Sequence, residues 1–170
     1  MPRFEPAPPF PNWPRYAPER PLPPYRYVPG LNPHPIRDPA GHSHQHRAER
    51  VRLPAPDAWA SCLPYCHAVD LHNFAYWWEA HEAWEGLWQL TDKRGEQAQF
   101  LQGLIQVSAA LLKRHMGSPE GVRVLFGEAV GRLAGVAAAH PRYMGLDLPD
   151  YLGQIAACRA GGPPPMIRLV

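Results

Sequence analysis

WWEAHEAWEGLW, residues Trp77–Trp88, is the stretch that decides the fold of this chain. Wound at about 100° per residue, its apolar side chains gather on one side of a helix. Trp77, Trp84 and Trp88 fall on a narrow arc flanked by Ala80 and Leu87, and His81 falls among these indoles. Glu85, Glu82 and Glu79 lie progressively further round the other side. A glutamate four residues beyond a histidine stands one turn on, within side-chain reach, so His81 and Glu85 form a natural pair. The stretch predicts one amphipathic helix of an all-α domain.

The helical period continues on both sides. Asp57 suits an N-cap, and Leu63, Cys66, His67 and Val69 carry a helical pattern to about Leu71, with Pro64 confining the regular part to the residues after it. His72–Asn73 reads as a short break, after which the central helix runs from about Ala75 to Leu90. Beyond a polar turn at Thr91–Gly95, a third helix covers about Glu96–His115, with Leu101, Leu104, Ile105, Ser108, Leu111 and Leu112 on one face. Ser118-Pro119-Glu120 is a start signal for a fourth helix, about Pro119–Ala139. Val122, Leu125, Phe126, Ala129, Leu133 and Val136 are its expected inward side chains. Gly127, Gly131 and Gly135 leave a smooth stripe on it, which in water predicts close helix–helix packing. Pro141 ends that helix, and Pro149 opens a last short one to about Arg159. No strand signal stands out. The expected fold is a compact bundle of about five helices over residues 57–160, followed by a tail, 161–170.

Residues 1–56 hold 16 of the 23 prolines and read as an extended arm. Phe4, Phe10, Trp13, Tyr16, Tyr25 and Tyr27 give this arm apolar surface that a disordered linker usually lacks. Pro21–Arg37 is therefore expected to lie ordered along the helices or a second subunit, with the first ~18 residues loose. A net charge of +2 points to neither nucleic acid nor an anionic membrane, and Lys113, Arg114, Arg123 and Arg132 are scattered. No apolar run nears the ~20 residues that span a bilayer. Without an apolar N-terminal core a secretory signal is not expected, and three cysteines suit reduced thiols, so the expected setting is cytoplasmic.

The order Asn73-Phe74, Trp78-Glu79-Ala80-His81-Glu82, Glu85, Trp88 resembles the signature of the family known as domain of unknown function 309. Phe100-Leu101-Gln102-Gly103-Leu104-Ile105-Gln106 with Ala109-Ala110 resembles that family's second motif, and the likeness covers about Ala58–Tyr151. Pro33-His34-Pro35 and Gly41-His42-Ser43 resemble an extension found on some members. The resemblance implies a small all-α fold and no particular reaction. It also implies that Glu79, His81, Glu82, Glu85, Trp88, Gln102 and Gln106, which match the family pattern, are not ordinary solvated surface. Gln102 and Gln106 are expected to hydrogen-bond across to the Glu/His cluster.

Two readings of that cluster stand. It is a structural network or a binding site for a ligand or partner; alternatively His81 and Glu85 hold a divalent metal in a metal-assisted hydrolase, with Glu82 and Glu79 as further ligands or acid/base groups. His-Glu-x-x-Glu lacks the second histidine of a zincin helix, so other ligands would have to come from elsewhere. His34, His42, His44 and His46 form a tract able to bind a transition metal, set against its reading as a solvated linker. Cys62 and Cys66 with His67 suggest a zinc half-site less well than they suggest core filler. The aromatic arm and the glycine stripe together suggest a homodimer. No phosphate loop, nucleophile elbow or dinucleotide fingerprint is present.

Overall fold

The computed structural model describes residues 4–47 and 49–170. Among these, the five expected α-helices form: α1 (Leu63–Asn73), α2 (Trp77–Trp88), α3 (Glu96–His115), α4 (Pro119–Ala139) and α5 (Leu148–Arg159). Asp57 lies in a separate 3-10 turn, Pro56–Ser61, and α1 starts only with Pro64 in its first turn, where a missing N–H costs nothing. One small feature departs from the all-helical pattern. Arg142–Tyr143 pairs antiparallel with Leu146–Asp147, and Leu169 bridges to Leu146.

The α3 helix is the centre of the bundle, packed between α2 and α4, while α1 leans on α2 and α5 on α4. Trp84, Tyr65, Phe100, Leu104, Phe126 and Leu133 are fully buried where these helices meet. Each such side chain contributes about 1.5–3 kcal/mol of apolar burial. Gly103 lets α3 and α4 approach, because a Cβ there would stand 2.7 Å from Cγ and Cδ2 of Leu133. The α4 glycines do not serve this purpose. Nothing lies within 4 Å of a Cβ built at Gly127, Gly131 or Gly135, since α4 buries its Phe126–Ala129–Leu133–Val136 side and turns the stripe to solvent.

Residues after α5 return into the core. Ile167 is fully buried and Leu169 nearly so. The Asn73 amide donates to the Ile167 carbonyl at 2.8 Å and its carbonyl accepts the Ile167 N–H at 2.8 Å, as a neighbouring strand would. Beside it, His72 Nε2 is 2.9 Å from the Pro165 carbonyl and Nδ1 is 3.1 Å from Ser108 Oγ. Burial pushes the His72 imidazole down to about 4, so it is neutral at pH 7. It then donates from Nε2 to Pro165 and accepts at Nδ1 from the Ser108 hydroxyl.

The arm packs on the helices of its own chain. Asp70, wholly buried on α1, accepts from Arg15 Nε at 2.8 Å and from the N–H groups of Tyr16 at 2.7 Å and Ala17 at 2.9 Å. The described residues before Ala17 are thus not loose, because a buried carboxylate on α1 draws three donors to this segment. Further along, Arg26 donates to the Phe74 carbonyl at 2.7 Å and lies 4.4 Å over the Tyr76 ring. Among the described residues, no helix is long and apolar enough to cross a membrane.

Candidate functional site

The approach of α2 is set by a left-handed residue. Ala75 (φ 65°) closes α1, and the Tyr76 N–H reaches back to the Leu71 carbonyl at 2.8 Å, the long-range bond of a Schellman-type ending. Trp77, Ala80, Trp84 and Leu87 then face the core. His81 is not enclosed by the indoles as the wheel predicts. Its side chain keeps 29% of its surface exposed, because the buried arc centres between Trp77 and Trp84 and leaves His81 at the edge.

That position brings His81 together with two of the predicted glutamates. His81, Glu82 and Glu85 each offer one ligand atom, and these atoms lie within 4.8 Å of one another. His81 Nδ1 is 3.4 Å from Glu82 Oε1, yet it is a buried atom with no hydrogen bond. Among the described residues this is the one group of three His, Cys, Asp or Glu side chains close enough to share an ion. Glu82 stands only one residue from His81, yet its carboxylate comes within the same group as that of Glu85.

Glu79 goes elsewhere. It is 95% buried under the arm, where Oε1 accepts from the Tyr27 N–H at 2.9 Å and lies 3.0 Å from His42 Nε2. Its Oε2 is buried with no partner. The arm is clamped here by rings: Trp78 lies edge-on to Tyr27 (5.1 Å) and His34 (5.3 Å), and His42 sits 4.7 Å from Tyr25. Gly41 permits the turn that presents His42, since a Cβ would stand 2.3 Å from the carbonyl oxygens of His34 and Pro35.

The glutamines do not join the cluster. Gln106 donates to Glu128 Oε2 at 2.6 Å and accepts from Arg132 Nε at 3.2 Å, both on α4. The cause is the helical period: Gln99, Gln102 and Gln106 share one stripe of α3, and Arg132, which also bonds Gln99 at 2.7 Å, draws that stripe toward α4. Gln102 itself is half-buried. Trp88 is half-buried as well, with the Lys93 ammonium 4.1 Å over its ring.

The histidine tract does not gather. His42 is committed to Glu79, His44 Nδ1 contacts the Ile36 carbonyl at 3.0 Å, and His34 Nδ1 accepts from the Ile36 N–H at 3.2 Å. Cys62 and Cys66 are buried free thiols, and burial pushes Cys66 up to about 11, which makes it an inert thiol at pH 7. The residue that sequence reasoning missed is His42 as the partner of Glu79. No signal on α2 itself marks the pair: the wheel puts Glu79 furthest from the indole arc, and only the arm laid over that face buries it.

Residues 65–125 match the model of the family described as Domain of unknown function (DUF309). The resemblance carried by the two motifs is therefore borne out over α1 to the start of α4, a segment that includes His81, Glu82, Glu85 and Glu79 but not the arm. No curated protein matches the chain.

Proposed function

We propose that this chain is a divalent-cation-binding helical module, with His81, Glu82 and Glu85 as its protein ligands. The observation that carries the reading is the convergence of their ligand atoms to within 4.8 Å. Ligands held about 2.1 Å from one ion stand roughly 3.4 Å apart in a tetrahedral site, so modest rotation of two glutamate side chains closes the set. The Nδ1 of His81, buried beside Glu82 with no hydrogen bond, supports it, since a ring nitrogen so placed lacks the partner that a cation would supply. One imidazole with two carboxylates suits zinc, manganese or ferrous iron better than calcium. Three protein ligands also leave a coordination position for water, the arrangement that metal-assisted hydrolysis uses. The buried, unpaired thiols Cys62, Cys66 and Cys158 suit a reducing, cytoplasmic setting.

The test is metal content of untagged protein together with calorimetric titration of Zn2+ and Mn2+. One ion per chain is expected, with affinity falling at least about tenfold in Glu85→Gln and further in His81→Ala. A His44→Ala/His46→Ala variant should bind as the parent does. No bound metal, or full binding by His81→Ala, overturns the reading.

A further inference from the structure

The ends of three helices meet around a cavity of about 490 Å³ on the side of the bundle where α3 turns into α4. Arg114 comes from the last turn of α3, Arg123 from early in α4 and Arg159 from the last turn of α5. Scattered along the sequence, these guanidiniums line one space, and no carboxylate lines it with them. The two cavities that Arg142 lines are different, because Asp57 and Glu96 share one and Asp147 and Asp150 the other. Arginines at the ends of α3 and α5 have a structural use, since each offsets the partial negative charge of a helix C-terminus. That use takes about half a charge apiece, and the N-terminus of α4 returns about half a charge of the opposite sign. Glu120, outside the lining, offsets one more, as it accepts from Arg123 at 2.7 Å and 3.1 Å. Roughly one and a half positive charges remain at the cavity.

The donors are held but not used up. Arg114 Nη1 donates to the Gly162 carbonyl at 2.9 Å and to Cys158 Sγ at 2.8 Å, which fixes the guanidinium at the cavity. Its Nε and Nη2 have no partner among the described residues, and neither has the exposed Arg159 side chain. Guanidiniums grip carboxylate and phosphate oxygens through parallel N–H donors, and arginines from three helices suit a tetrahedral oxyanion better than a planar one. Pro119 and Val122 give the same cavity an apolar wall. Its volume lies within the roughly 300–1,000 Å³ of pockets that enclose small organic molecules, more than an inorganic anion fills. We propose that the cavity between α3, α4 and α5 binds a soluble phosphate monoester. Arg114 and Arg159 hold its phosphoryl group, and its organic part lies on Pro119 and Val122. Arg123 is the weaker ligand, because Glu120 competes for it.

The experiment uses the full chain, stripped of metal on a chelating resin and free of phosphate buffer, so that its outcome is independent of the metal reading. Phenyl phosphate is titrated by calorimetry beside inorganic phosphate and phenol. Sedimentation with phosphatidylcholine vesicles carrying phosphatidic acid is run in parallel. One phenyl phosphate is expected to bind per chain with Kd below about 1 mM. Inorganic phosphate should bind at least about threefold more weakly, phenol at least about tenfold, and the vesicles should leave the protein in solution. Arg159→Gln and Arg114→Gln should each weaken phenyl phosphate by about tenfold or more, and Arg123→Gln by a smaller factor. Arg94→Gln, which removes an exposed charge elsewhere, should bind as the parent does. Absence of saturable binding overturns the proposal, as does phenol or inorganic phosphate binding as tightly as the ester. Cosedimentation with the vesicles that phenyl phosphate competes away overturns it in favour of a lipid headgroup. Unchanged binding by Arg159→Gln, or an equal loss in Arg94→Gln, overturns it as well. If Arg114→Gln does not fold, the exposed Arg159→Gln decides.

Discussion

Acidification should unfold this protein by way of a buried histidine that is not among the proposed metal ligands. His72 is wholly buried, and its imidazole is held down to about 4 against an ordinary value near 6.5. The depressed value means that the folded state resists protonation while the unfolded chain accepts it. Stability from His72 is therefore complete above about pH 6.5 and is lost as pH falls from there toward 4. At about 1.4 kcal/mol per pH unit, the gap between 6.5 and about 4 sets a ceiling near 3 kcal/mol, of which about 2 kcal/mol is lost by pH 5. That is a large part of a domain's usual 5–15 kcal/mol and corresponds to roughly 4–8 °C in Tm for a chain this long. The structural cause is burial: the ring is enclosed, with Nε2 donating to Pro165 and Nδ1 accepting from Ser108, so no water solvates the charge that a second ring proton would bring. Urea denaturation followed by tryptophan fluorescence at several pH values between 7 and 5, in EDTA, measures the slope. His72→Gln should be less stable at pH 7 and show a shallower slope, with His67, whose basicity burial also lowers, contributing to what remains. An identical slope in His72→Gln, or no loss of stability between pH 7 and 5, refutes the reasoning.

Asp70→Ala removes the acceptor of three arm contacts and should cost about 2–3 kcal/mol, less than a fully enclosed pair because Arg15 keeps 22% of its side-chain surface exposed. Trypsin should then cut faster after Arg15 and Arg26, and unchanged protection would show that the arm is held elsewhere. Gly103→Ala places a Cβ 2.7 Å from the Leu133 side chain and should destabilise by about 1–3 kcal/mol, with Leu133→Ala relieving part of the added cost in a double-mutant cycle. Gly131→Ala, in open space on α4, should instead stabilise by about 0.5–1 kcal/mol through helix propensity; a loss there in dilute solution would mean that the stripe is covered by something outside the chain.

The cluster on α2 was half legible. His81 and Glu85 at a spacing of four share a helix edge whatever the surroundings, and the structure brings them together with Glu82. Glu79 belongs to the same motif, yet it parts from them, because its direction on the helix points under the arm. Nothing in the local period of α2 specifies what covers that face. The glutamines fail for a related reason: their spacing is right for one stripe on α3, but which neighbour that stripe meets depends on Arg132, 26 residues beyond Gln106.

Helix identity and extent follow from local rules, which is why α3 and α4 run over the residues that periodicity and the Ser118-Pro119-Glu120 start predict. Proline and glycine punctuation acts within a few residues, so it is readable along the chain. Contacts across long separations are not. Asp70 meets Arg15 across 55 residues, His42 meets Glu79 across 37, and Asn73 meets Ile167 across 94. Each rests on a buried polar group finding its complement after the helices have packed, and any of several donors in the arm or tail would satisfy the same local sequence. The Trp77–Trp88 stretch thus determines a helix and which of its sides is apolar, whereas packing alone decides that His81 stays at the edge with Glu82 and Glu85 while Glu79 is enclosed beneath His42.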